Sequence, residues 1–231
     1  MTAKILVIIP AFNEEESIGK VISDIPKDLV KEVVVVNNSS TDETTANASS
    51  AGATVIDEAQ RGYGYACLKG IEYAASKTKN ERPDIIVFLD GDYSDYPEDM
   101  SGLVKPIIED DVDMVIGSRA LGNAEEGALL PQQVFGNWLA TTLVRFLYGI
   151  KFTDLGPFRA IKFDKLLELN MTDKTYGWTV EMQVKAAKEK FKCTEVPVSY
   201  RKRIGVSKIA GTLNGSIKAG YKILWTIFKY I

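Results

Sequence analysis

The chain has 231 residues, 45% of them hydrophobic and 26% charged, which suits one large α/β domain with a sizeable core. A formal net charge of −3 argues against a general nucleic-acid binder, whose footprint is basic. Histidine is absent, which removes zinc–histidine sites, Ser-His-Asp triads and histidine bases and leaves acid–base work to carboxylates, Lys, Tyr or Cys.

The predicted elements alternate. Lys4 to Pro10 is a continuous apolar run ended by proline, and from Glu15 onward Ile18, Val21, Ile22 and Ile25 recur at helical spacing. Glu32 to Asn37 repeats the strand signal, and Ser40 to Glu43 supply cap-type residues before an alanine-rich helix ending near Gly52. Thr54 to Asp57 reads as a short third strand. The following helix carries Ala66, Gly70 and Ala74 on one stripe, small enough for close approach to a neighbour. Ile85 to Leu89 is a buried strand running into Asp90-Gly91-Asp92. Pro97 suits a helix's first turn, and Asp113 to Gly117 is the fifth strand, followed by Ser118-Arg119.

Five strands alternating with helices indicate an α/β, doubly wound, mainly parallel sheet, in which ligands lie at the carboxyl ends of the strands. The polar exits Asn13-Glu14, Asn37-Asn38, Asp57, Asp90 to Asp92 and Ser118-Arg119 therefore converge on one rim. Asp90 and Asp92 would point the same way from an extended strand end, and two like charges so close call for a cation. Hard carboxylate oxygens suit Mg²⁺ or Mn²⁺ held together with substrate phosphates, although Asp and Gly are also ordinary turn residues. No Gly-x-Gly-x-x-Gly follows strand one and no Walker A lysine motif occurs, which sets dinucleotide oxidoreductases and P-loop NTPases aside.

Beyond residue 120 the rhythm changes to a loop over Asn123 to Ala128, an apolar helix from about Gln132 to Tyr148 and a strand-like Pro157 to Ile161. A helix from Trp178 to Lys190, a strand Thr194 to Tyr200 and a final amphipathic helix complete it. This second half reads as a helical cover on residues 1–120, making a single domain of 1–231. In the last helix Leu213, Ile217, Tyr221, Leu224, Ile227, Phe228 and Ile231 form a stripe with Lys218, Lys222 and Lys229 opposite. That pattern fits an element lying in a lipid headgroup layer, or one packed on the domain or on a second copy in a homodimer. Cys67 and Cys193 look like small core residues of a reducing compartment, and Met1 to Ile5 lacks a signal-peptide pattern, so a cytoplasmic or peripheral membrane location is expected.

The sequence resembles the family 2 glycosyltransferases of GT-A fold, most closely the dolichyl-phosphate mannose synthase-like branch. The resemblance rests on Ile9 to Glu15, Asn37 to Asp42, Gly62-x-Gly64, Asp90-Gly91-Asp92, Gly117 to Arg119, Asp154 to Arg159 and Arg203-x-Gly205-x-Ser207-Lys208. It implies transfer of a hexose from a nucleoside diphosphate sugar, UDP- or GDP-linked. Asp92 would be the direct metal ligand and Asp90 a sugar or metal-water contact. Asn13, Glu14, Asn38 and Asp42 would hold base and ribose, with Pro10, Asn37, Gly62 and Gly64 also in the substrate-binding set. A common family pattern has Asp-Asp where this chain has Asn37-Asn38. Arg119, Arg159, Arg203 and Lys208 would surround a phosphate, or else each pairs with a surface carboxylate, with Ser207 also in the substrate-binding set. The resemblance further implies that Asp154 is the catalytic carboxylate, a general base if the acceptor is a hydroxyl, its structural alternative being a helix or turn cap. Relatives acting on polyprenyl phosphate often carry Arg and Ser upstream of Asn137, where this chain has Leu129 and Gln133. Glu181, Trp178 and Tyr176 are further candidates, each with a structural alternative: a solvated helix residue for Glu181, core aromatics for the other two. The acceptor is expected to be a lipid phosphate or a saccharide hydroxyl; the alternative to an enzyme is a nucleotide-sugar-binding protein without turnover.

Overall fold

The structure, a computed structural model, describes residues 3–205 and 213–231. Among these the strands are β1 Ile5–Ala11, β2 Glu32–Asn37, β3 Thr54–Asp57, β4 Ile85–Phe88, β5 Met114–Ser118, β6 Arg159–Lys162 and β7 Cys193–Pro197. The helices are α1 Ile18–Asp24, α2 Thr44–Ser50, α3 Tyr63–Ser76, α4 Met100–Glu109, α5 Pro131–Tyr148, α6 Phe163–Glu168, α7 Trp178–Lys188 and α8 Leu213–Lys229. One seven-stranded sheet runs in the order β3-β2-β1-β4-β6-β5-β7. Neighbours are parallel except β6, which lies antiparallel between β4 and β5. The α/β doubly wound, mainly parallel sheet expected from the sequence is present.

Buried on both faces, the strands are continuous apolar runs whose alternate residues serve different layers. Ile5, Val7 and Ile9 pack with α1 and α4 on one side. Leu6 and Ile8 pack with α3, α5, α7 and α8 on the other. Helix α3 comes close because Gly70 has no side chain: a Cβ there would lie 2.5 Å from Ile8 Cγ2.

Several boundaries differ from the sequence reading. Helix α1 starts at Ile18 because Glu14 to Ser17 are taken up by a turn closed from Ser17 N–H to the Glu14 carbonyl. Pro97 opens a short 3-10 turn that runs into α4. Strand β7 ends at Pro197, and Tyr200 N–H instead bonds the Asn123 carbonyl. Helix α7 stops at Lys188, just before Lys190 turns left-handed with φ 57°. The short helix α6 has no counterpart in the sequence reading. Strands β6 and β7 come from the second half of the chain and complete the sheet begun by the first.

Candidate active site

Strands β1, β2 and β4 end at a common rim, and beside them opens a cavity of about 360 Å³. Its lining brings together Pro10, Glu14, Asn38, Gly62, Asp90, Asp92 and Arg203 from the sequence-predicted set, with the further candidate Tyr176, and adds Phe12 and Tyr63. A smaller cavity of about 180 Å³ adjoins it through Glu14 and holds Asn13 and Asp42.

At the floor, β4 stops at Phe88, so Asp90 and Asp92 flank the turn that follows the strand. Asp90 accepts a hydrogen bond from Tyr63 Oη at 3.0 Å. Asp92 takes Ser94 N–H and hydroxyl on Oδ1 and Arg203 Nη2 at 3.1 Å on Oδ2. Arg203 also reaches Glu14 at 3.5 Å, while its Nε is buried without a partner. Burial, and then the charge of Asp92, push the Asp90 acid up to about 7. The sequence called for a cation beside these carboxylates, and in the structure Arg203 supplies it from a segment more than a hundred residues away.

The rim loops are stapled by the predicted polar residues themselves. Asn13 Oδ1 accepts from Thr41 N–H at 2.9 Å, and its own N–H donates to Ser40 Oγ. Asp42 accepts the backbone N–H and hydroxyl of Thr44, the first residue of α2, and also Glu15 N–H. Asn37 lies off the cavity, donating to Asp57 at 2.8 Å. Asn38 donates to the carbonyls of Glu58 and Gln60 and accepts Gly62 N–H, a mixed pattern that an ionised aspartate, acceptor only, could not make. Gly62 and Gly64 are required by close approach: a Cβ on either would lie 2.3 and 2.2 Å from the carbonyl oxygens of Lys174 and Asp173.

A second cluster surrounds Asp154. It is 1% exposed, and Arg119 closes both its oxygens, Nε and backbone N–H at 2.8 Å to Oδ2 and Nη2 at 2.7 Å to Oδ1. Burial alone would raise its acid, but the Arg119 guanidinium outweighs that and holds it below the usual range. The guanidinium also lies 5.0 Å from the Tyr200 ring centroid. Glu195 on β7 accepts Thr153 N–H, Thr153 Oγ1 and Asp154 N–H, and Asn137 on α5 bonds Thr153 O and Leu155 N–H. Asp154, expected to act as a base if the acceptor is a hydroxyl, is thus engaged by Arg119 at both oxygens.

Arg159 corrects the sequence reading. It is 0% exposed, and its nitrogens donate to the carbonyls of Thr179, Leu155 and Gly156, so it ties strand to loop and does not face a phosphate. Desolvation brings its pKa down to about 10. Trp178 is also core, packed edge-on against Phe88 at 4.6 Å, whereas Tyr176 does line the cavity. Glu181 is buried, not solvated: against the upward push of burial, Lys185 and Tyr230 hold its acid below the ordinary range. Ser207 and Lys208 lie outside the described residues.

Sequence reasoning missed Asp95, Glu195 and Arg201. Asp95 is 2% exposed with neither carboxylate oxygen hydrogen-bonded, and desolvation, then Asp90 and Asp92, push its acid well up. Its signal was a third carboxylate three residues after Asp92. Arg201 packs against Tyr93 and Tyr96, 3.4 and 4.1 Å from their ring centroids, and donates to the Tyr93 and Asp95 carbonyls, which pins the Arg203 segment to the Asp90–Asp92 loop.

Helices α5 and α8 pack together and leave aromatics outside. Phe135, Trp138, Tyr221, Trp225 and Phe228 are each more than half exposed. Helix α8 is also anchored in the core by Ile227, so one face of it packs on the domain, as one of the sequence readings expected. Among the described residues no helix is long and apolar enough to cross a membrane.

Comparison with known proteins gives a match to the description "Glycosyl transferase family 2" over residues 6–169. An uncharacterised glycosyltransferase of Mycobacterium tuberculosis is 32% identical over 93% of this chain and 94% of its own. A dolichyl-phosphate hexose transferase of Haloferax volcanii is 32% identical over 88% of this chain and 85% of its own. In three dimensions the chain is similar to glucosyl-3-phosphoglycerate synthase from Mycobacterium tuberculosis in complex with Mn²⁺, UDP and phosphoglyceric acid. The TM-score is 0.76 at 22% identity, covering 99% of this chain and 78% of that one, and the sheet is accordingly of the GT-A type.

Proposed function

The chain belongs to glycosyltransferase family 2, in the branch resembling dolichyl-phosphate mannose synthase, and from this premise we propose that it is an inverting hexosyltransferase. It moves a hexose from a UDP- or GDP-linked sugar to a polyprenyl phosphate at a membrane surface. The residues present fit Mg²⁺ or Mn²⁺. Asp90 and Asp92 line one cavity with hard oxygens, where burial first and then the charge of Asp92 raise the Asp90 acid. Asp92 would hold the ion directly, with Asp90 at a sugar hydroxyl or a metal-bound water. When bound, the ion supplies neutralisation of the diphosphate as it departs.

Arg203 neutralises Asp92 in the metal-free protein and is placed to transfer its guanidinium to a donor phosphate oxygen. Asn13, Glu14 and Asp42 shape the base and ribose end, and Tyr176 offers a face to the sugar. Arg119 gives Nε and Nη2 to Asp154 and retains Nη1 for the acceptor phosphate. The observation that supports the acceptor class is the engagement of Asp154 by Arg119 at both oxygens: a carboxylate so held is a weakened base, which favours an acceptor that arrives already ionised, as a phosphate does. Asp95, its acid pushed up by burial, does not fill that role. The aromatic faces of α5 and α8, flanked by Lys218 and Lys229, would lie in the headgroup layer.

The test is a panel of UDP- and GDP-sugars assayed for transfer to short polyprenyl phosphates with and without Mn²⁺, alongside sedimentation with anionic vesicles. Metal-dependent transfer to the lipid phosphate and co-sedimentation lost in Trp225→Ser/Phe228→Ser are expected. Transfer to saccharide hydroxyls alone would overturn the acceptor class.

A further inference from the structure

Helix α8 has a second set of contacts, which run toward the cavity and away from its aromatic face. Lys222 Nζ lies 2.8 Å from Asp173 Oδ2. Asp173 is 7% exposed, and its other oxygen organises the loop that follows: Oδ1 accepts the backbone N–H of Thr175 at 2.8 Å and of Gly177 at 3.2 Å. The preceding residues are held by Glu181, which accepts Thr172 N–H and Asp173 N–H and receives Tyr230 Oη from just beyond α8 at 2.6 Å. Gly177 fits only because it lacks a Cβ, which would sit 2.3 Å from Thr226 Oγ1 of α8.

The other side of this loop is the donor cavity. Thr175 and Tyr176 line it. The Lys174 carbonyl accepts Tyr65 N–H at 3.2 Å, and the Lys174 and Asp173 carbonyl oxygens lie so close to Gly62 and Gly64 that neither glycine could carry a Cβ. Between those two glycines Tyr63 donates to Asp90. A chain of direct contacts thus runs from Lys222 through Asp173 and residues 173–176 to Tyr63 and Asp90.

We propose that Lys222 is a positioning residue for the donor site: through Asp173 it sets the loop that carries Thr175 and Tyr176, so that α8 couples its outward aromatic face to nucleotide-sugar binding. The inference rests on the donor-site reading above. Coupling between two sites is a shared free energy and is reciprocal, and its material carrier here is the loop, which α8 holds on one side and the cavity uses on the other. Lys222 itself is partly exposed, with a third of its side chain open to solvent, at the flank of the aromatic stripe.

The test compares Lys222→Met and Lys222→Arg with the unmodified protein. Hydrogen exchange without ligand reads the amides of Asp173, Thr175 and Gly177, and calorimetry reads binding of UDP and of GDP with Mn²⁺. In Lys222→Met the loop amides should exchange faster, and affinity for the bound nucleotide should fall roughly tenfold, the size of one charge-assisted hydrogen bond. The melting temperature should stay within a few degrees, and Lys222→Arg should restore both readouts. Unchanged exchange in Lys222→Met, or lost affinity that Lys222→Arg does not restore, overturns the inference. Faster exchange in a protein that binds neither nucleotide in any form leaves the loop coupling standing and removes the donor reading, so the two failures are distinguishable. A further arm adds vesicles of phosphatidylglycerol and phosphatidylcholine. Nucleotide with Mn²⁺ should raise vesicle binding of the unmodified protein severalfold and leave that of Lys222→Met unchanged; no effect on the unmodified protein overturns the coupling to the aromatic face.

Discussion

On the donor side of the cavity Asp92 meets Arg203 through one nitrogen at 3.1 Å, with the arginine partly open and its Nε without a partner. Across the rim, Asp154 meets Arg119 through two side-chain nitrogens at 2.7 and 2.8 Å in a nearly sealed setting. The residue types are identical and the constructions opposite. A single-point contact at a cavity wall can be exchanged for a ligand at small cost, because water and phosphate replace what is lost. A bidentate pair removed from water is strongly destabilised when one partner goes, since a buried charge is left behind. On the function proposed above, the Asp92–Arg203 pair is the one that opens, and the Asp154–Arg119 pair keeps Arg119 aimed.

The comparison breaks most visibly at Asp154. Asp154→Asn should leave Arg119 uncompensated and cost about 3–5 kcal/mol of stability, with transfer reduced roughly 10²-fold or more; urea unfolding and initial-rate assays measure the two. A variant with normal stability and a rate lost only above a titration midpoint would restore Asp154 as a base. Asp92→Asn, at a loop the core does not need, should instead keep the fold. It should lose metal-dependent donor affinity worth about 2–4 kcal/mol, read by titration with and without Mn²⁺; unchanged affinity would remove the metal assignment.

The smallest effect is a pH dependence confined to the donor side. The Asp90 pKa of about 7 in the folded protein exceeds the ~3.9 of an unfolded aspartate, so the folded state holds the extra proton. Its contribution to stability is complete below about pH 4 and is lost as pH rises through 7. A divalent ion takes the proton's place, so the rise in melting temperature produced by Mn²⁺ should grow between about pH 5 and pH 8. Calorimetric scans across that range measure it, and a metal effect independent of pH would detach Asp90 from the ion.

The donor rim was legible because its information is local. Each strand is an apolar run and the polar residues follow at once, so Asn13, Asn38, Asp90 and Asp92 could be placed from the strand ends. The partner of Asp92 could not, because Arg203 returns after the whole second half of the chain. Arg159 shows the limit differently. An arginine after Gly156-Pro157-Phe158 reads as phosphate-directed until the Thr179 carbonyl is seen beside it, and no local pattern foretells that carbonyl. Glu195 and Asn137 were equally hidden, since what they hold is backbone, and backbone leaves no mark in sequence. Strand β6 was placed within two residues at its start and one at its end, but its direction was not read, because hydrophobicity does not encode which way a strand runs.

That reversed strand has a consequence for the order in which the protein can be made. In the sheet β5 touches β6 and β7, and β4 touches β1 and β6, so β5 has no neighbour among the strands synthesised before it. A chain emerging from the ribosome has written most of its donor rim by residue 118, yet β4 presents an open edge and β5 has no seat until β6 arrives as a wedge between them. Through some forty residues of elongation, at about 5–20 residues per second, one edge of β4 and the whole of β5 wait unpaired. Such edges are the ones along which nascent chains join each other, and the interval is set by the length of α5 and the loops around it. The segment that presents aromatics to its surroundings in the finished protein is thus also the timer for closing its sheet.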